Sequence, residues 1–184
     1  LKVAQAYEDK LKHIVWREEE AIKSVRRLAA STDLDVFIAD CLKEISACRK
    51  QERNKVEKVL SFILKRNKLT IPEKLEETKN EKKAKSMIPQ RLFKGTLSTA
   101  DVIRKHFSEK EYEWYEEMAK KDIDFEKKLN ELLNFMDGKR TVSDIVKAVS
   151  IEYGEFKVED ALRFMRNMET LKLISISKSK KSIT

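Results

Sequence analysis

Glycine occurs only three times and proline only twice in 184 residues. A chain with so few breakers has few places to turn, and must cover most of its length with long helices. Its apolar residues agree. Val3, Tyr7, Leu11, Ile14, Val15, Ile22, Val25, Leu28 and Ala29 follow one another in steps of mostly three and four, the mark of a helix with a buried stripe. Glu18, Glu19 and Glu20 sit on its polar side, one turn from basic partners. Ser31–Thr32–Asp33 is a helix-start cluster. A second periodic run follows it: Leu34, Phe37, Ile38, Cys41, Leu42 and Ile45, then Val56, Val59, Leu60, Ile63 and Leu64. The polar stretch Cys48–Lys55 between them is either a kink or helix projecting past its neighbour. Residues 1–68 are therefore expected to form a long antiparallel helical hairpin. Such a hairpin has a single internal interface, and its remaining apolar surface calls for another domain or another subunit.

Residues 69–89 read as a linker. The run "KLEETKNEKKAK" nearly lacks apolar residues and lies between Pro72 and Pro89, as expected of a solvated spacer. The texture changes over residues 90–184. Gly95 marks a turn. Ser98 or Thr99 caps a short helix carrying Val102, Ile103 and Phe107, and "SEKE" at Ser108–Glu111 reads as a capping box before Tyr112, Trp114, Tyr115 and Met118. From Asp122, the residues Ile123, Phe125, Leu129, Leu132, Leu133 and Met136 keep helical spacing up to Gly138, a left-handed stop. Arg140 and Thr141 make a brief extended segment. Thr141 or Ser143 caps a helix buried through Val142, Ile145, Val146 and Val149, which Gly154 ends. A third helix starts near Lys157–Glu159, and Leu173, Ile174 and Ile176 read as a strand before a basic tail. Helix, short strand, helix, helix, strand over about residues 122–177 is the order of a winged helix-turn-helix. The expected fold is mainly α: a helical hairpin, then a helical region ending in a winged-helix-like module with a short β-hairpin.

Charge bears on partners. Lys and Arg number 40 against 32 Asp and Glu, a formal +8. That excess admits nucleic acid or an acidic partner, but interspersed acids are equally the mark of a Lys- and Glu-rich composition of the thermophile kind. Lys139, Arg140, Arg163, Arg166, Lys178, Lys180 and Lys181 are the candidate nucleic-acid contacts. Glu159 and Asp160 open the third helix, where they repel the phosphate that a helix start would otherwise attract. Leu11, Ile45, Trp114 and Tyr115 are the candidate interaction surface.

Catalytic chemistry finds little to use. His13 and His106 lie on separate helices, and neither belongs to a ligand motif. There is no glycine-rich phosphate loop, no nucleophile elbow, and no Cys–His pair of recognisable type. Cys41 and Cys48, seven residues apart, are separated by roughly 10 Å along a helix, too far for a disulfide. A reducing, cytoplasmic compartment is expected, with no membrane span, metal or cofactor. The chain begins at Leu1 rather than Met, as a fragment does, or a sequence whose true start is missing.

Three segments carry a resemblance: "RLFKG" at Arg91–Gly95, "NFMDGKRTVSDIVKAVSIEYG" at Asn134–Gly154, and "VEDALRFMRNMETLKLISI" at Val158–Ile176. Together they resemble the C-terminal region of large prokaryotic zinc aminopeptidase-like proteins, in which a bimetallic exopeptidase domain is followed by helices and a winged-helix-like end. The resemblance lies mainly over residues 90–177. Patterns like "DGKRTVSDIV" also occur in transcription regulators and small peptide-binding winged helices. None of the peptidase's metal ligands has a counterpart here. The resemblance implies a non-catalytic accessory region that self-associates or packs on a neighbouring catalytic domain. The alternative expectation is a winged-helix nucleic-acid-binding regulator that dimerises through the hairpin.

Overall fold

The computed structural model describes residues 2–28, 31–68 and 77–178. The chain divides into two compact units, Leu1–Leu75 and Glu76–Thr184. It is mainly helical, with a two-stranded antiparallel sheet.

The first unit is the expected hairpin. Helix α1 spans Lys2–Ser24, a 3-10 turn spans Val25–Arg27, and helix α2 spans Thr32–Asn67. The Ser31 side chain accepts the Leu34 N–H at 3.1 Å, and Asp33 and Asp35 oppose the dipole of the first turn. Arg26 pairs with Asp35 at 2.9 Å across the connection. Lys68 adopts a left-handed φ of 51° and ends α2 by donating its N–H to the Leu64 and Lys65 carbonyls. Cys48–Lys55 is continuous helix, so α2 has 36 residues against 23 for α1 and outruns it by about three turns. The core between them is thin: among the described residues Val15, Ile38 and His13 are the buried side chains of this unit. Several positions expected in the buried stripe are exposed instead, including Val3, Tyr7, Ile14, Val25 and Leu28. Ala29 lies outside the described residues. One helix–helix contact covers about a third of each helix, and these sequences carry more apolar surface than that.

The second unit builds its core on three helices: α6 (Phe125–Asn134), α7 (Val142–Tyr153) and α8 (Val158–Thr170). Phe125, Leu132, Val142, Ile145, Val149, Phe164, Met165 and Met168 are fully buried there. Each contributes about 1.5–3 kcal/mol by leaving water. Thr141 and Asp144 form a reciprocal capping box at the start of α7, and Gly154, at φ 84°, ends it. The helices α4 (Thr99–His106) and α5 (Glu109–Lys121) pack on α6. Ile123 was expected inside the helix but precedes it and is exposed, because the Asp122 carboxylate accepts the Asp124 N–H and turns the chain before Phe125.

The linker ends earlier than expected. Residues 69–76 lie outside the described residues, but residues 77–89 belong to the second unit. Thr78 and Glu81 form a capping box at the start of α3 (Lys79–Ser86), which lies against α7 and α8 with Ala84 fully buried. Strand β1 (Met87–Arg91) follows directly and pairs antiparallel with β2 (Ile174–Lys178), in the register Met87↔Lys178 to Arg91↔Ile174. The strand pair is thus made by segments from opposite ends of the unit: its first strand, expected at Arg140–Thr141, is Met87–Arg91 instead. Pro89 is fully buried in β1. It is tolerated because its position faces residue 138, where only its carbonyl is used: Gly138 N–H donates to it at 3.1 Å.

Gly138 also has a different task from the one expected. Helix α6 already ends at Asn134, capped at Phe135 in right-handed geometry. Gly138, at φ 74°, serves the turn beyond, where the Asp137 carboxylate accepts the N–H groups of Lys139 and Arg140 at 2.9 and 3.0 Å. A Cβ at Gly138 would lie 3.3 Å from the Gln90 side chain, so glycine also lets this turn approach β1.

If α3 is part of this unit, Ala84→Glu buries an unpaired charge and lowers its stability by about 3 kcal/mol, while Lys82→Glu on the exposed side changes it by less than about 0.5 kcal/mol. Urea denaturation followed by Trp114 fluorescence in a Trp16→Phe background measures both. Equal, small effects would return residues 77–89 to the linker.

Candidate interaction site

The surface of α8 is the natural place to look for a contact face, because its buried side is fixed by Ala161, Leu162, Met165 and Met168. Glu159, Arg163, Arg166 and Thr170 form its outward stripe. Two of these four, Glu159 and Arg163, are engaged by neighbouring helices. Arg163 forms a two-pronged pair with Glu111 of α5: Nε donates to Oε1 at 2.8 Å and Nη2 to Oε2 at 2.7 Å. Its guanidinium carbon lies 4.1 Å from the centre of the Trp114 ring. Asn167 donates to Glu111 Oε1 at 2.8 Å and to the Tyr115 hydroxyl at 2.7 Å. On the other flank, Asn80 of α3 donates to Glu159 at 3.0 Å. Helices α5 and α3 thus hold α8 from two sides.

The chemistry of this cluster is stabilising rather than reactive. The hydrogen bond from Arg163, helped by Asn167, holds the Glu111 carboxyl below its ordinary pKa against the opposing effect of burial. Burial pushes the Tyr115 hydroxyl up to about 12, so it remains a neutral phenol. Trp114 meets Tyr115 and Phe125 edge-on at 4.7 and 5.8 Å, so these aromatics are local packing, with Tyr115 buried and Trp114 half-buried. The expected capping box at Ser108 is only half made. Ser108 accepts the Glu111 N–H at 3.4 Å, but the Glu111 carboxylate has turned to Arg163.

The other candidate cations divide into engaged and exposed. Arg140 donates to Asp137 Oδ2 at 3.1 Å and stacks 4.5 Å from the centre of the Phe135 ring. Burial works to raise the Asp137 carboxyl, but the N–H groups of Arg140 and Lys139 outweigh it and hold the pKa below its usual value. Lys139, Arg166 and Lys178 are exposed. Lys180 and Lys181 lie outside the described residues. Lys128 was not among the expected functional residues, but it is buried on α6 and ties Asp122 (2.7 Å) and the Glu155 carbonyl (3.1 Å) together. Its position three residues after Phe125 on an apolar face was the available signal.

In the first unit, Leu11 and Ile45 are half-buried on the same helix faces as Val15 and Ile38, so they contribute to the hairpin's internal contact. The apolar side chains left outside include Tyr7 and Ile14 on α1, with Phe37, Val59 and Phe62 on α2. His13 is buried beside Trp16, their ring centres 5.8 Å apart, and His106 is exposed at the end of α4. Cys41 and Cys48 are free thiols. Among the described residues no group of three or more His, Cys, Asp or Glu side chains is placed to hold a metal, and no helix is long and apolar enough to cross a membrane. A cavity of about 120 Å³ between α4, α5 and α6, lined by Thr99, Ile103, Tyr112, Tyr115, Phe125 and Leu129, falls below the roughly 300 Å³ at which small-molecule pockets begin. No family model, curated protein or solved structure matches this chain.

The Glu111–Arg163 pair makes stability depend on acid. The folded pKa of Glu111 lies below 4.5, so the pair contributes fully above that pH and its contribution is lost as pH falls through the folded value. Glu111→Gln lowers stability at neutral pH by about 1 kcal/mol. Because it removes this titration, the variant loses less than the parent on acidification. Urea midpoints at neutral pH and below pH 4.5 measure the difference, and parallel losses in both proteins would contradict it.

Proposed function

We propose that this chain is a non-catalytic interaction region whose helical hairpin associates with a second copy, with a winged-helix-like unit serving protein contact. The observation that carries this reading is the hairpin's unequal burial: Phe37, Val59 and Phe62 are each about 60% exposed, while Ile38 is fully buried on the adjoining face. A symmetric second copy covers the same stripes on both partners. We read α6, α7, α8 and the strand pair as the winged-helix-like unit. Its third helix has Arg163 paired to Glu111 and Asn167 shared between Glu111 and Tyr115, an arrangement that favours packing over groove reading. A place beside a zinc aminopeptidase-like catalytic domain rests on the sequence resemblance alone.

Sedimentation velocity tests the association. The chain is expected to be a dimer, and Ile14→Glu with Phe62→Glu is expected to give a monomer of unchanged helicity by circular dichroism. A chain that is monomeric at the highest concentration reached would overturn the reading.

Duplex DNA provides the second test. Lys139, Arg166 and Lys178 support only sequence-independent binding, which should decline steeply as salt rises. Sequence-selective binding at physiological salt would instead favour a nucleic-acid-binding regulator.

A further inference from the structure

Among the described residues, the small sheet of the second unit has one closed side and one open side. β1 is its inner strand. On one flank Arg91 N–H donates to the Met136 carbonyl at 3.1 Å, and Gly138 N–H donates to Pro89. On the other flank Leu92 N–H donates to the Leu173 carbonyl at 3.0 Å. The alternation of an antiparallel ladder then turns the backbone groups of Leu173, Ser175 and Ser177 toward β1, and those of Ile174, Ile176 and Lys178 outward. Among the described residues nothing hydrogen-bonds to those three outward positions. The strand is firmly seated all the same, with Ile174 buried and Ile176 half-buried. An open, anchored strand edge is a template for another strand.

Charge decides what fits it. Lys172 and Lys178 bracket the strand and are exposed, and neither has a carboxylate partner among the described residues. From Leu171 to Thr184 the sequence has four lysines and no acid. A second copy paired edge to edge would bring lysine-rich segments together. Nucleic acid would answer the charge but leave the outward N–H and carbonyl groups without a matching backbone. We propose that the outer edge of β2 receives an extended acidic peptide segment as an added strand. The peptide backbone pairs with Ile174, Ile176 and Lys178, and its carboxylates meet Lys172 and Lys178. This site is separate from the hairpin and does not depend on its self-association.

The probe is a blocked octapeptide of alternating Glu and Val, titrated into the full ¹⁵N-labelled chain and followed by amide shifts. The expected result is saturable shifts centred on Ile174, Ile176 and Lys178. Binding should be about ten-fold weaker for the same peptide N-methylated at alternate residues, and for its Lys–Val counterpart. Ile176→Pro removes the central outward N–H without touching the β1 ladder, because Ile176 stands opposite Pro89 in a non-bonded pair. It should weaken binding to a similar degree. Lys172→Glu with Lys178→Glu leaves the strand backbone intact and should do the same, so the test does not hang on the proline variant folding. The proposal is overturned by absence of binding, by equal binding of the N-methylated peptide, by shifts confined to α8, or by an oligonucleotide that shifts the same three amides as strongly.

Discussion

The second unit depends on the pairing of β1 with β2. Without β1 the helices α6, α7 and α8 would leave the inward backbone groups of β2, at Ser175 and Ser177, and those of Met136 and Gly138 without a backbone partner. With it, one strand bonds to β2 on one flank and to residues 136 and 138 on the other. Because β1 follows α3 with no intervening loop, the pairing also draws α3 against α7 and α8. That brings Asn80 to Glu159. The strand that completes the sheet therefore also delivers a helix to the flank of α8.

The consequence for function lies in α8. A helix that reads a nucleic-acid groove needs its cations and amides free. Here Arg163 and Asn167 are turned to α5 and Glu159 to α3, and the charge left over sits at scattered exposed lysines and Arg166. The hairpin shows the opposite imbalance. Two helices in contact bury one stripe each, but these two carry aromatic and aliphatic side chains on a neighbouring stripe as well. In one unit the outward helix surface is partly engaged by its neighbours, and in the other apolar side chains stand exposed.

The hairpin was legible in the sequence because its apolar period is long and Ser31 is a strong start signal. The boundaries of α7 and α8 were legible because Thr141, Gly154 and Lys157 punctuate them. β1 was not: five residues containing a proline, after a run of charges, read as the end of a linker. Only the long-range match with Ile174–Lys178 makes it a strand. Glu111 was misread for a related reason. Its local pattern with Ser108 was real, but Arg163, 52 residues away, offers a charged partner and a two-pronged geometry that a backbone N–H cannot match. Lys128 was missed because a lysine on a helix is ordinarily solvated, and burial depended on Asp122 and Glu155 converging on it. The exposed stripe of the hairpin lay in plain view, but periodicity alone does not say which of two adjoining apolar stripes faces the partner helix.

Amide hydrogen exchange tests the central role of β1 most directly. Arg91, Leu92 and Gly138 donate the bonds that fix it on both flanks. If β1 closes the second unit, these three amides exchange as slowly as the buried turns of α8 and are released together with them as denaturant is added. Exchange of Arg91 and Leu92 at the rate of an unstructured chain, with α8 still protected, would contradict the account.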